Sequence, residues 1–214
     1  MRGRLIVIEG CDGTGKTTQA EKLHHFLEKR RREVLDGGAS AVLHLREPGS
    51  TALGEAIRNL LLEVPQKGDV AICPTSEAFL FNASRAQLFH EEVLPALEEG
   101  CVVVLERFYY STYAYQGSGL GLNRQMILTM GEWAVEGVLP DRVVLLDMDA
   151  AQSLERISTQ RDRLESYHVA FHERVRKGFL ELAGLFPERF RVINAAGNPE
   201  QIHERVVEAV SDVV

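Results

Sequence analysis

Cysteine is scarce and scattered in this chain. Cys11, Cys73 and Cys101 are the three among 214 residues, and no two of them form a C-x-x-C pair. A disulfide framework and a structural zinc site are thereby excluded, and reduced thiols of a cytoplasmic protein are expected. Positive charge is in deficit, with 24 Lys and Arg against 31 Asp and Glu and a formal net charge of −7. A nucleic-acid backbone is therefore not an expected partner. Long apolar runs are missing too. The opening Met1-Arg2-Gly3-Arg4-Leu5-Ile6-Val7-Ile8-Glu9 has the outline of a signal peptide, but Glu9 and Asp12 cut its apolar run short. No other stretch approaches the roughly 18 apolar residues of a membrane helix, so no membrane association is expected. Repeats, low-complexity tracts and linkers are absent as well, which predicts one domain over residues 1–214.

What is present is 45% hydrophobic and 26% charged, the balance of a globular protein. Short β-rich runs alternate with amphipathic stretches. Strands are predicted at Leu5–Glu9, Val42–Arg46, Cys101–Glu106, Val143–Asp147 and Phe190–Asn194. Between them fall helices at Thr17–Arg32, about Leu53–Leu62, Thr75–Leu97 (capped by Ser76 or Thr75), Arg124–Glu136, Ala150–Ser158, about His168–Ala183 and Pro199–Val213. Strands interleaved with helices predict a three-layer α/β fold: a five-stranded parallel sheet with helices on both faces.

Gly10-Cys11-Asp12-Gly13-Thr14-Gly15-Lys16-Thr17 is a full G-x-x-x-x-G-K-[ST] match, set between a predicted strand and a predicted helix as a P-loop requires. The glycines allow positive φ and close backbone approach, so successive N–H groups can point at one phosphate. Gly10 to Thr18 is thus the expected ATP site. Lys16 should reach the β- and γ-phosphates, and the Thr17 hydroxyl should ligate Mg²⁺. The guanine-reading N-K-x-D and the transporter L-S-G-G-Q signatures are both missing, which leaves small kinases as the fitting class.

Further along, Leu45-Arg46-Glu47-Pro48-Gly49-Ser50-Thr51, Phe79-Leu80-Phe81-Asn82-Ala83-Ser84-Arg85, Glu106-Arg107-Phe108 with Ser111, Ala114-Tyr115-Gln116-Gly117 and Val175–Ala183 follow in order. The set resembles the successive motifs of bacterial thymidylate kinases, across essentially the whole chain. That resemblance implies a P-loop NTPase fold with a short lid at about 159–166, a homodimer, and phosphoryl transfer from ATP·Mg²⁺ to dTMP, giving dTDP and ADP on the way to dTTP. It also implies roles. Asp12 meets the sugar 3′-hydroxyl, Glu47-Pro48 form a turn beside the nucleotide that is often cis, and Arg58 holds the acceptor phosphate. Phe81 stacks on thymine, Arg85 donates to O4, Gln116 pairs with the N3 edge, and Tyr115 crowds the 2′ position. Ser111 and Thr112 join that pocket, and Arg107 bridges the two phosphates. Some members carry an arginine inside the phosphate loop. Here that position is Gly13, so Arg156, Arg161 and Arg163 are implied as the lid charges.

Departures and alternatives belong beside this. The family's Asp-Arg is Glu106-Arg107 here, one methylene longer near the Mg²⁺ site, and aspartate at 106 should then be tolerated. Ser50 replaces the second glycine of the turn, and the Asp36–Ser40 loop is longer than usual. Glu-Arg also occurs in deoxynucleoside kinases, and a non-catalytic P-loop regulator is a third reading. Phe79 and Phe81, two apart on a helix, face different ways, so at least one should be core. Arg58 and Arg85 taken singly could be solvated charges. His168 and His172, one helical turn apart with no third ligand in a motif, should be a surface pair.

Overall fold

A computed structural model describes residues 2–34, 40–62, 72–157, 165 and 167–214. The strands are β1 (Arg4–Gly10), β2 (Val42–Arg46), β3 (Val102–Glu106), β4 (Arg142–Asp147) and β5 (Phe190–Asn194), ordered β2-β3-β1-β4-β5 and paired in parallel throughout. The helices are α1 (Lys16–Val34), α2 (Ala52–Leu62), α3 (Pro74–Leu88), α4 (Leu94–Glu98), α5 (Tyr109–Thr112), α6 (Arg124–Ala134), α7 (Ala150–Glu155), α8 (Val169–Leu185) and α9 (Pro199–Val210).

Side chains of a strand alternate between its faces, and here the alternation sorts the core into two layers. Leu5, Val7, Val103, Leu105, Val143 and Leu145 meet one set of helical side chains, among them Leu88, Tyr109, Phe171 and Phe179. Ile6, Ile8, Val102, Val104, Val144 and Leu146 meet Ala20, Leu23 and Leu27 of α1 and Ile202, Val206 and Val210 of α9. Both faces of the sheet are covered, which is why these strands read as unbroken apolar runs.

Two helical regions differ most from the sequence expectation. The Thr75–Leu97 helix begins one residue earlier, with Pro74 in its first turn and Cys73 as the cap, the thiol accepting from the Ser76 N–H. It then widens into a π turn at Phe89–Val93 before α4. Pro95 explains the widening, because proline brings no N–H and its ring crowds the carbonyl four residues back. Leu94 N–H accordingly reaches the Phe89 carbonyl, five residues away. The second region, α5 and its continuation as a π stretch at Tyr113–Gly119, had no predicted element at all. Its residues are buried on nearly every side, so no apolar period marks it. It packs against α8, where a Cβ on Gly119 would fall 2.5 Å from the Phe171 ring and one on Gly178 2.4 Å from Ser118.

Candidate active site

The carboxyl ends of β1, β2 and β3 converge where the chain order of the sheet changes direction around β1, the usual place for a ligand in an open parallel sheet. A cavity of about 770 Å³ opens there. Its phosphate-loop wall is Asp12, Gly13, Gly15, Lys16, Thr17 and Thr18, and its opposite parts come from the β2 end, α2, α3 and the segment after β3.

The loop has the backbone its glycines were expected to permit, with φ of +146° at Gly10, +78° at Gly13 and +90° at Gly15. Gly13 has a second constraint. A Cβ there would fall 2.0 Å from the carbonyl oxygen of Ser153 in α7, so α7 is seated directly on the loop. A loop arginine cannot occupy this position. Cys11 and Thr14 hold the loop from inside, Thr14 Oγ1 donating to the Cys11 carbonyl at 2.8 Å and Lys16 Nζ to the same oxygen at 2.7 Å. Burial pushes the Cys11 thiol up to about 12, helped by Asp12, so it stays protonated and inert.

Asp12 is the hub of the charges. Its carboxylate accepts from Arg107 Nη2 and, at 2.6 Å, from the Tyr115 hydroxyl, and Lys16 Nζ stands 3.9 Å away. Burial alone would raise its pKa, but Arg107 and Lys16 overcome that and hold it at about 2. Lys16 is itself pulled down to about 8 by burial and by the neighbouring Arg107 cation. Arg107 sits at φ +69°, a left-handed conformation rare for arginine, with its N–H on the Ile8 carbonyl at 3.0 Å. The buried Glu9 carboxylate secures that bend, accepting from Phe108 N at 2.9 Å, Ser111 N at 3.0 Å and Ser111 Oγ at 2.7 Å.

Glu106 ends β3 and links two walls. Its Oε2 accepts from Thr17 Oγ1 at 2.7 Å, and its Oε1 meets His44 Nε2 on β2 at 2.7 Å. Burial opposes ionisation here, but the bonds from His44 and Thr17 win and lower its pKa. The Glu47-Pro48 bond is cis, and Pro48 carbonyl accepts from Arg58 Nη1 at 3.0 Å. Ser50 takes φ +62° at the place of the family's glycine, its Oγ accepting from Arg46 N at 2.9 Å. Arg85, 1% exposed, donates to Glu47 Oε2 at 2.7 Å, Asn82 Oδ1 at 2.9 Å and Thr112 Oγ1 at 3.3 Å, so it is no solvated charge. Gln116 Nε2 donates to Glu77 Oε1 at 2.6 Å.

Phe81, Arg58, Arg85, Ser111, Thr112, Tyr115 and Gln116 thus share one cavity with the phosphate loop, and Arg156 reaches its rim with Nη1 on the Ala195 carbonyl at 3.2 Å. Helix α7 stops at Glu155 rather than Ser158, which leaves Arg156 just past its end. Arg161 and Arg163, and the 159–166 segment apart from Glu165, lie outside the described residues, as does the Asp36–Ser40 loop apart from Ser40. Two expectations are corrected. Phe79 is 57% exposed and Phe81 faces the cavity, so neither is core. His172 is buried within α8, beside Phe171, while only His168 is on the surface. Glu9, His44 and Glu77 were not anticipated. Glu9 alone had a signal, a carboxylate closing an otherwise apolar strand; Glu77 reads as an ordinary first-turn acid and His44 as an ordinary strand residue.

A parallel sheet of this order, with a lysine-bearing phosphate loop at its centre and arginines converging on one cavity, defines a small kinase of the P-loop class. The thymidylate kinase family model matches residues 8–206. A thymidylate kinase of Bifidobacterium longum is 46% identical over 202 residues, 94% of each chain. One from Caldanaerobacter subterraneus subsp. tengcongensis is 39% identical over 213 residues, covering 99% of this chain and 97% of the relative. The crystal structure of a thymidylate kinase from Ehrlichia chaffeensis superposes with a TM-score of 0.78 at 30% identity, covering 98% of this chain and 100% of that one. The chain belongs to the thymidylate kinase family.

Proposed function

We propose that this chain transfers the γ-phosphoryl group of ATP to dTMP, releasing dTDP and ADP, with the residues of the cavity dividing the work. One observation carries the division. Lys16 and Thr17 of the phosphate loop, and Phe81, Arg85 and Gln116 of the opposite wall, open into a single cavity, and Arg107 touches both Asp12 of the loop and Ser111 beyond it. The loop N–H groups and Lys16 hold the donor phosphates, Arg58 the acceptor phosphate, and Arg107 the charge between them. Tyr115, fixed by its 2.6 Å bond to Asp12, closes the sugar end against a 2′-hydroxyl. The acceptor phosphate, with a second pKa of about 6, is largely ionised at neutral pH and needs no strong base. Catalysis is then positioning and charge neutralisation.

Mg²⁺ fits the donors present. Thr17 hydroxyl and Glu106 carboxylate are hard oxygen ligands set side by side, and Mg²⁺ asks for only one or two protein oxygens beside water and phosphate. When bound it would neutralise charge on the phosphates. The protein works in the cytoplasm, in keeping with its free cysteines, and no described helix is long and apolar enough to cross a membrane. A homodimer is supported by α3 lying between α2 and α6 with Leu53, Leu60, Phe79, Met126 and the 85%-exposed Trp133 turned outward. Trp133→Glu should shift the mass measured by sedimentation from dimer to monomer.

The decisive assay is ADP release with ATP·Mg²⁺ and a panel of dTMP, dUMP, dCMP, AMP, GMP and thymidine. dTMP should be best and dUMP weaker by about 1–3 kcal/mol for the missing methyl. Turnover of thymidine without dTMP would move the chain to the nucleoside kinases. ADP release with none of them would make it a regulator.

A further inference from the structure

Arg85 and Gln116, the two polar groups assigned above to the base, are each held by a buried carboxylate. Glu47 is 4% exposed and Glu77 0%. Glu77 lies in the first turn of α3, where an acidic side chain ordinarily faces water and the helix dipole. Here it points inward to Gln116 Nε2 at 2.6 Å. An ionised carboxylate accepts hydrogen bonds and donates none. Turning the Gln116 amide over would set its oxygen against the Glu77 oxygens, two acceptors facing each other out of water. The contact therefore permits one orientation of the amide. Its NH₂ goes to Glu77, and its Oε1 takes no hydrogen bond among the described residues and belongs to the cavity wall.

The pattern this leaves is specific. Arg85 uses Nε on Glu47, one Nη1 hydrogen on Asn82 and one Nη2 hydrogen on Thr112, which leaves one hydrogen on each terminal nitrogen. Gln116 adds a carbonyl acceptor with its second N–H beside it. The wall offers donor, acceptor, donor, the complement of the O4, N3–H and O2 edge of a 4-oxo pyrimidine. Cytosine, with an amine at C4 and a bare N3, sets donor against donor and acceptor against acceptor. We infer that Glu77 is a specificity-determining residue that acts through Gln116, locking the amide so that the pocket selects thymine and uracil over cytosine. The inference rests on Gln116 reading the base.

The test is the ratio of kcat/KM for dTMP to that for dCMP, with dUMP alongside. Glu77→Gln puts a group there that can donate or accept, and Glu77→Met removes the acceptor at similar length; either lets the Gln116 amide turn. In whichever variant keeps a cooperative thermal unfolding transition, the dTMP to dCMP ratio should fall at least about tenfold. Most of the change should lie in KM, and the dTMP to dUMP ratio should hold. A residue that merely supported the fold would lower both pyrimidines together and leave the ratio alone, and that outcome overturns the inference. Gln116→Ala, run in parallel, separates the two failures. If it collapses the ratio while the Glu77 variants keep it, the lock alone is wrong; if it too leaves the ratio unchanged, Gln116 does not read the base and both ideas fall.

Discussion

His44 of β2 and Glu106 of β3 meet at 2.7 Å, and the other oxygen of the same carboxylate holds the Thr17 hydroxyl at 2.7 Å. The longer side chain at 106 is therefore used: it spans from the phosphate loop to a neighbouring strand. Aspartate, shorter by one methylene, should keep the Thr17 hydroxyl beside the phosphate loop and lose His44, and is expected to serve less well than glutamate. Glu106→Asp and His44→Ala should each lower kcat by about tenfold. The double variant should be no worse than the worse single one, because the two changes break one shared contact. The Mg²⁺ concentration for half-maximal rate should rise in all three. Simple addition of the two losses would show that His44 and Glu106 act independently.

Gly13 and Gly15 both have positive φ but differ in their surroundings. A Cβ at Gly13 meets the Ser153 carbonyl at 2.0 Å, and one at Gly15 meets nothing within 4 Å. Gly15→Ala should cost about 1 kcal/mol of backbone strain. Gly13→Ala should cost at least about 2 kcal/mol, since α7 must also move. Denaturant unfolding of the two variants gives the comparison, and equal losses would mean that α7 is not seated on the loop in solution.

Burial and Arg107 bring Lys16 down to about 8 from the ordinary 10.5. A lysine with a depressed pKa is charged below that value and loses its proton as pH rises through it. In the nucleotide-free protein, ATP binding should accordingly weaken above pH 8, by up to about tenfold per unit, because binding must first restore the proton. Calorimetry with a non-hydrolysable ATP analogue from pH 6.5 to 9.5 reads this directly. Lys16→Arg, charged throughout, should give a flat profile.

Arg85 is packed against Glu47, whose carboxyl burial pushes up to about 7 even beside the guanidinium, and removing one partner of a buried pair leaves the other without its hydrogen bond or its counter-charge. Arg85→Met should destabilise the fold by about 3–5 kcal/mol, and adding Glu47→Gln should recover part of that. Thermal unfolding of the single and double variants decides it. This also means that substrate losses in an Arg85 variant need a stability control before they count as base recognition.

Phe81 lines the cavity and Phe79, two residues earlier, is turned to solvent. Phe81→Ala should raise KM for dTMP by about tenfold, near the loss expected for one stacked aromatic surface. Phe79→Ala should leave KM unchanged.

Much of this protein was legible without coordinates. The phosphate loop was, because its glycines and the strand and helix that flank it are local requirements written into adjacent residues. The strands were as well: burial on both faces leaves β1, β3 and β4 with continuous apolar runs such as Val102–Leu105, and β2 and β5 keep short β-rich segments between turn residues. From strands and helices in alternation, handedness and layering follow by general rules. The segment Tyr109–Gly119 was not legible: nearly every side of it is packed, so composition carries no period to read. Tertiary structure alone decided which polar groups found each other. Glu106 reaches His44 from 62 positions away, Gln116 reaches Glu77 from 39, and Arg85 reaches Glu47 from 38. Local sequence sets φ, ψ and which residues turn inward. The partner of an inward-turned charge depends on where distant elements come to rest, and inside a core that partner decides whether the charge is stable, how it is oriented and what it can recognise.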